Sequence, residues 1–185
     1  MAINKRLTDT NGVLELNRVS CNKTGNMPSQ YKFVEEGKLE NGMIVGIKAE
    51  KNEIVLDAAA GDAVFLHMSA EKEYDSNNSG LNKFYLDKNS KFLPRLGRLE
   101  IGDVFTTTAV CYDSAVLASI EAIKIAVKAG TVYGGVTSVE GYKGLISISK
   151  TQPTSKIALK ASAVTTVPNG EVAIKFTVVD LAEKV

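Results

Sequence analysis

His67, the one histidine of the chain, follows Asp62 by five residues and precedes Ser69 by two. These are the three side-chain types of a nucleophile, base and carboxylate relay. The relay works only if a fold brings them into mutual contact with the base oriented by the acid. On a strand, residues i and i+2 share a face and point the same way. The spacing therefore predicts His67 and Ser69 pointing outward in parallel, with His67 a surface or barrel-lining polar residue and no catalytic set.

The other chemical candidates are thinner. Gly97-Arg98-Leu99-Glu100-Ile101-Gly102 carries two glycines and a cation. A phosphate loop instead needs glycines opening a helix N-terminus, followed by Lys and a hydroxyl. Here the glycines lead into Asp103-Val104-Phe105-Thr106-Thr107-Thr108, a β-branched run with period two. The segment reads as the turn that starts a strand. Cys21 and Cys111 lie far apart and read as small apolar residues with free thiols. Asp75, Asn77, Asn78 and Ser79 offer oxygen donors for calcium but lack a closing bidentate Glu. Glu35-Glu36 and Glu71/Glu73 read as solvated charge rather than acid–base pairs. Tyr31-Lys32-Phe33 is too short an aromatic and basic interleaving to stack nucleic-acid bases. No catalytic, cofactor or metal set is expected.

Bulk properties narrow the classes further. The 185 residues carry 22 Lys and Arg against 21 Asp and Glu, a net charge of +1. A dedicated nucleic-acid binder shows a basic excess, so no direct nucleic-acid partner is expected. No apolar run reaches the ~18 residues of a membrane span, and no membrane partner is expected. MAINKRLTDTNG lacks the apolar stretch of a secretion signal, which predicts synthesis in a cytoplasm. Trp is absent and aromatics are 6%, so Val, Ile, Leu and Ala must build the core.

The elements that would position these residues are mainly strands. GMIVGIKA (42–49) and NEIVLDA (52–58) flank Glu50-Lys51 as a hairpin, and GDAVFLHMSA (61–70) follows. Residues 74–83 read as a solvated loop. FYLDKNSKFLPRLGR (84–98) shows short apolar pieces cut by turns. Ser114 caps an expected short helix over about Ala115–Ile123, after which Ile-Lys-Ile-Ala-Val-Lys has strand period. TVYGGVTS, GLISISK, KIALKASAVTTV and EVAIKFTVVDL read as four more strands, with Val167-Pro168-Asn169-Gly170 turning between the last two. The fold class is mostly β: an antiparallel β-sandwich or barrel-like sheets of about ten strands, with one short helix. Residues 1–30 are polar and turn-rich and read as an extended N-terminal arm. Residues 31–185 form the β-rich domain, with a candidate sub-boundary near 112–130.

Three segments, in order, resemble a known family: GDAVFLHMSAEKEY (61–74), LPRLGRLEIGDVFTTTAV (93–110) and VPNGEVAIKFTVVDL (167–181). They resemble the small proteins that decorate the capsids of tailed bacteriophages, called decoration or cement proteins. The likeness spans roughly residues 55–185 and is one of order, length and style, without a catalytic signature. It implies a β-rich structural virion protein, made in the host bacterial cytoplasm and seated on the outer capsid surface. Its partner would be the major capsid protein, whose subunits it would bridge to stabilise the expanded shell. A homotrimer on the capsid is a common arrangement in such proteins. The apolar residues of the arm, Ile3, Leu7, Val13, Leu14 and Leu16, are then the expected capsid contacts. The competing expectation is a tail, baseplate or fibre-associated β-rich binding module.

Overall fold

The structure is a computed structural model and describes residues 3–28, 30–69 and 84–181. The largest sheet has the spatial order β1 (Lys5–Arg6), β11 (Val110–Tyr112), β13 (Ile146–Ser149), β12 (Tyr133–Gly135), β14 (Ile157–Thr166), β15 (Val172–Leu181), β10 (Val104–Thr107) and β2 (Leu14–Arg18). Its pairings are antiparallel except β11 with β13. Only Thr108 and Ala109 separate β10 from β11 in the chain, a reach of about 11 Å. Laid flat, the five strand spacings between them would take about 24 Å. The sheet must therefore curl until these two strands run on from one another, which makes it barrel-like, with β1 and β2 as its end strands.

The pattern of side chains explains why the barrel fills. Val172, Ile174, Phe176 and Val178 alternate along β15, and the last three are buried. The rings of Phe105 and Phe176 lie 6.0 Å apart inside. A Cβ on Gly134 would sit 2.8 Å from Ile146 Cγ2 and 3.0 Å from Phe176 Cε1, so only glycine lets β12 approach that ring. The turn into β15 is the expected one: Gly170 has φ +84° and its N–H donates to Val167 O at 2.8 Å. The turn into β10 uses Gly102 at φ +93°. Asp103, which is buried, accepts the N–H of Glu100 at 2.8 Å and both the N–H and hydroxyl of Ser20. The 97–102 stretch is thus a strand end and a turn, as its pattern indicates.

A second sheet runs β3 (Lys32–Phe33), β6 (Glu53–Val55), β5 (Ile44–Lys48), β7 (Ala63–His67), β9 (Leu96–Arg98). The 42–58 hairpin holds, closed by a short 3-10 turn and Asn52 at φ +54°. β4 (Leu39–Glu40) and β8 (Tyr85–Leu86) form a small third sheet. Ile44, Val64 and Leu66 share one buried cluster with Phe105 and Phe176, so the barrel and the second sheet pack on a common core. Among the described residues, no helix is long and apolar enough to cross a membrane.

Two expectations are corrected. The helix is α2 (Ile120–Lys128), capped by Ser119 rather than Ser114. Ser119 Oγ accepts the Ala122 N–H at 3.1 Å, and Asp113 instead closes a local turn on Ala115. Ile123, Ala126 and Val127, at helical spacing, are buried, while Ile125 is 65% exposed. The alternating run was helix because that face covers the barrel. A four-residue helix, α1 (Cys21–Thr24), also forms.

The N-terminal segment is the second correction. It is not a free arm: β1 pairs with β11 and β2 with β10. Leu7, Val13 and Leu14 are buried in the core, and Leu16 and Ile3 are partly buried against it. Leu7, Val13 and Leu14 are therefore withdrawn as capsid contacts, because exposing them would empty the core that folding fills.

Candidate functional site

His67 sits wholly inside the protein, and this differs from the outward placement its spacing suggests. Its Nδ1 lies 2.8 Å from the Glu40 carbonyl and its Nε2 lies 2.7 Å from Ser69 Oγ. A carbonyl only accepts, so Nδ1 carries the proton and Nε2 accepts from the Ser69 hydroxyl. Ser69 Oγ in turn accepts the Arg95 N–H at 2.8 Å. A backbone carbonyl thus stands where a relay would place a carboxylate. Asp62 is elsewhere, accepting the Ala49 N–H at 2.9 Å. Burial lowers the imidazole pKa to about 4, which makes it a poor proton acceptor at neutral pH. Backbone bonds Gly42 N–H to His67 O and His67 N–H to Met43 O complete the seam, each at 2.9 Å. The histidine holds β7 to the 40–43 turn.

Glu40 joins that seam to the N-terminus. Its carboxylate, 2% exposed, accepts Arg6 Nη1 at 3.0 Å, Arg6 Nη2 at 2.6 Å and the Gly12 N–H at 2.7 Å. Arg6 Nη2 also donates to Thr10 O. A cleft of about 470 Å³ opens beside the pair, lined by Glu35, Lys38, Met43, Glu140 and Lys143 among others. Its charges are of both signs and largely engaged: Glu140 pairs with Lys143, and Glu35 accepts the Leu56 N–H. Burial pushes the Cys111 thiol up to about 12 and raises that of Cys21. Both stay protonated, buried and unpaired, as apolar filler.

The outer surface is more informative. Phe92 is 79% exposed, Leu93 49%, Val34 44% and Tyr85 41%. Phe92, Leu93 and Val34 line a groove of about 330 Å³ beside β3, together with Lys32, Lys88 and Lys91. The presenting loop is rigidly turned. Asp87 Oδ1 accepts Asn89 N–H and the Ser90 hydroxyl, and Ser90 Oγ accepts the Asp87 N–H. Buried Pro94 ends the loop, so Phe92 and Leu93 are held out rather than folded under. Lys88 pairs with Glu36, and Lys38 lies 4.5 Å from the centre of the Tyr85 ring.

This patch is nearly silent in the sequence. Its one signal was Lys91-Phe92-Leu93-Pro94, an apolar pair in a turn-rich stretch with no period to place it in a core. The calcium candidates Asp75, Asn77, Asn78 and Ser79, and Glu71 with Glu73, lie outside the described residues. Among the described residues, no three His, Cys, Asp or Glu side chains converge as a metal site. No protein-family model matches this chain, and neither a curated protein nor a solved structure does.

Proposed function

We propose that this is a structural virion protein that binds the outside of an icosahedral phage capsid. In this reading it stabilises the expanded shell by bridging subunits of the major capsid protein. The observation that carries the reading is the exposed Phe92, Leu93 and Val34 patch inside a lysine rim. An apolar centre with a charged border is the anatomy of a protein-docking face. Aromatic anchors held in place by their own loop lose little entropy on binding. The family resemblance supplies the partner, with a homotrimer as the assembly it implies. A clamp of this kind binds modestly at each contact and gains from engaging several subunits at once.

The test is cosedimentation with capsids lacking the protein. The Phe92→Ser, Leu93→Ser double variant is expected to bind roughly 30-fold more weakly, since burying such side chains contributes about 2–3 kcal/mol. Its thermal midpoint should stay within a degree or two of wild type, because the side chains make little of the core. Wild-type affinity in the double variant would defeat this face as the contact.

A further inference from the structure

We infer that the groove beside β3 takes an extended segment of the partner as an added strand, a step that rests on the docking face proposed above. β3 is the end strand of the second sheet. Its partner β6 runs parallel to it, with Lys32 opposite Glu53 and Phe33 opposite Ile54. Lys32 faces β6 and donates its N–H to Asn52 O at 2.9 Å. In a parallel ladder the next residue turns its own N–H and C=O the other way. Those groups of Phe33 point toward the groove that Lys32, Phe33 and Val34 line, and no described residue bonds to them.

The other edges are treated differently. β9 is covered, its Arg98 N–H bonded to Asn26 O at 3.2 Å. The large sheet ends at β1 and β2, and among the described residues neither carries an exposed apolar groove of the kind that lies beside β3. An uncovered strand edge is a template for another chain's backbone. Here the template is walled by Phe92 and Leu93, which turns a general liability into a selective slot.

The slot also states what side chains it wants. A strand's residues alternate sides with period two. Lys32 and Lys91 are exposed at the rim, and Asp87 is the lining residue of opposite sign. The occupant is an extended segment of the partner with apolar residues seated against Val34, Phe92 and Leu93, and acidic residues alternating with them toward the lysines. A second copy of this chain is the alternative that the test separates.

The experiment replaces the amide nitrogen of Phe33 with an ester oxygen in the full-length chain, which deletes that N–H and weakens the Lys32 carbonyl that faces β6. Binding to capsids lacking the protein is then measured beside Phe92→Ser and Lys91→Glu. The ester is expected to weaken binding about 3- to 10-fold, the value of one hydrogen bond, measured well below its thermal midpoint. Lys91→Glu should weaken binding and flatten its salt dependence. Full-strength binding by the ester while Phe92→Ser is weak overturns the added strand and leaves the docking face standing. If Phe92→Ser abolishes self-association in sedimentation, the occupant is a second copy and the partner segment is refuted. Failure of wild type to bind shells overturns both readings.

Discussion

Glu40→Ala is expected to lower the unfolding free energy by about 3 kcal/mol, read from urea midpoints at neutral pH. The carboxylate is buried and accepts three N–H groups, two from Arg6 and one from Gly12. Truncation leaves the buried Gly12 amide without its acceptor and the partly buried guanidinium with only Thr10 O, and that loss exceeds the value of the pair itself. Relaxation offers little relief. A Cβ on Gly12 would come within 2.3 Å of Asn41 O, so this loop already presses on its neighbour. The cleft beside the pair admits water, which is why the figure sits at the low end for a broken buried pair. Arg6→Met combined with Glu40→Leu should recover part of the loss, because it removes both charges together. A loss under about 1 kcal/mol for Glu40→Ala alone would show that the network does not hold the N-terminal strands.

Acid should weaken the fold through His67 by about 3 kcal/mol between pH 6.5 and pH 4. The ordinary histidine pKa of about 6.5 applies to the unfolded chain, while burial holds the folded value near 4. Between these values the unfolded state binds the proton and the folded state does not. Stability therefore rises with pH across that window, is fully present above 6.5, and is lost as pH falls toward 4. Protonation would put a second donor on Nε2, where Ser69 now donates. Because the chain has one histidine, its imidazole resonance can be followed directly. It should stay neutral down to about pH 4.5, and His67→Gln should flatten the stability profile in that window. A midpoint near 6.5 for the folded protein would contradict the buried, neutral seam.

How much of this was legible in residues alone depends on how local the cause is. β14 and β15 and the 44–55 hairpin could be read, because alternation and turn chemistry act over a few neighbours. The mostly β class followed from the same signals. The curl of the large sheet could not be read, since it depends on β10 and β11 pairing with strands tens of residues away. The helix was misplaced because Ser114 and Ser119 both make credible caps, and only packing against β14 and its neighbours chooses between them. The N-terminal segment looked like an arm because its Asn, Thr and Gly residues signal turns. Those residues connect two short strands whose few apolar side chains go inward. His67 reads as polar and outward by period, yet it is buried, because both faces of β7 are covered. The docking patch carried almost no signal: an exposed Phe and a core Phe have the same letter.

The central claim is that this chain serves as a shell-bound structural component. Quantitative mass spectrometry of purified phage particles tests it most directly, with copies of this protein counted against the major capsid protein. The account expects copies in the hundreds, in fixed ratio to the capsid subunit and released when the shell is dissociated. A handful of copies that fractionate with tails would contradict it and favour the tail-associated module. Absence from particles would contradict any virion role.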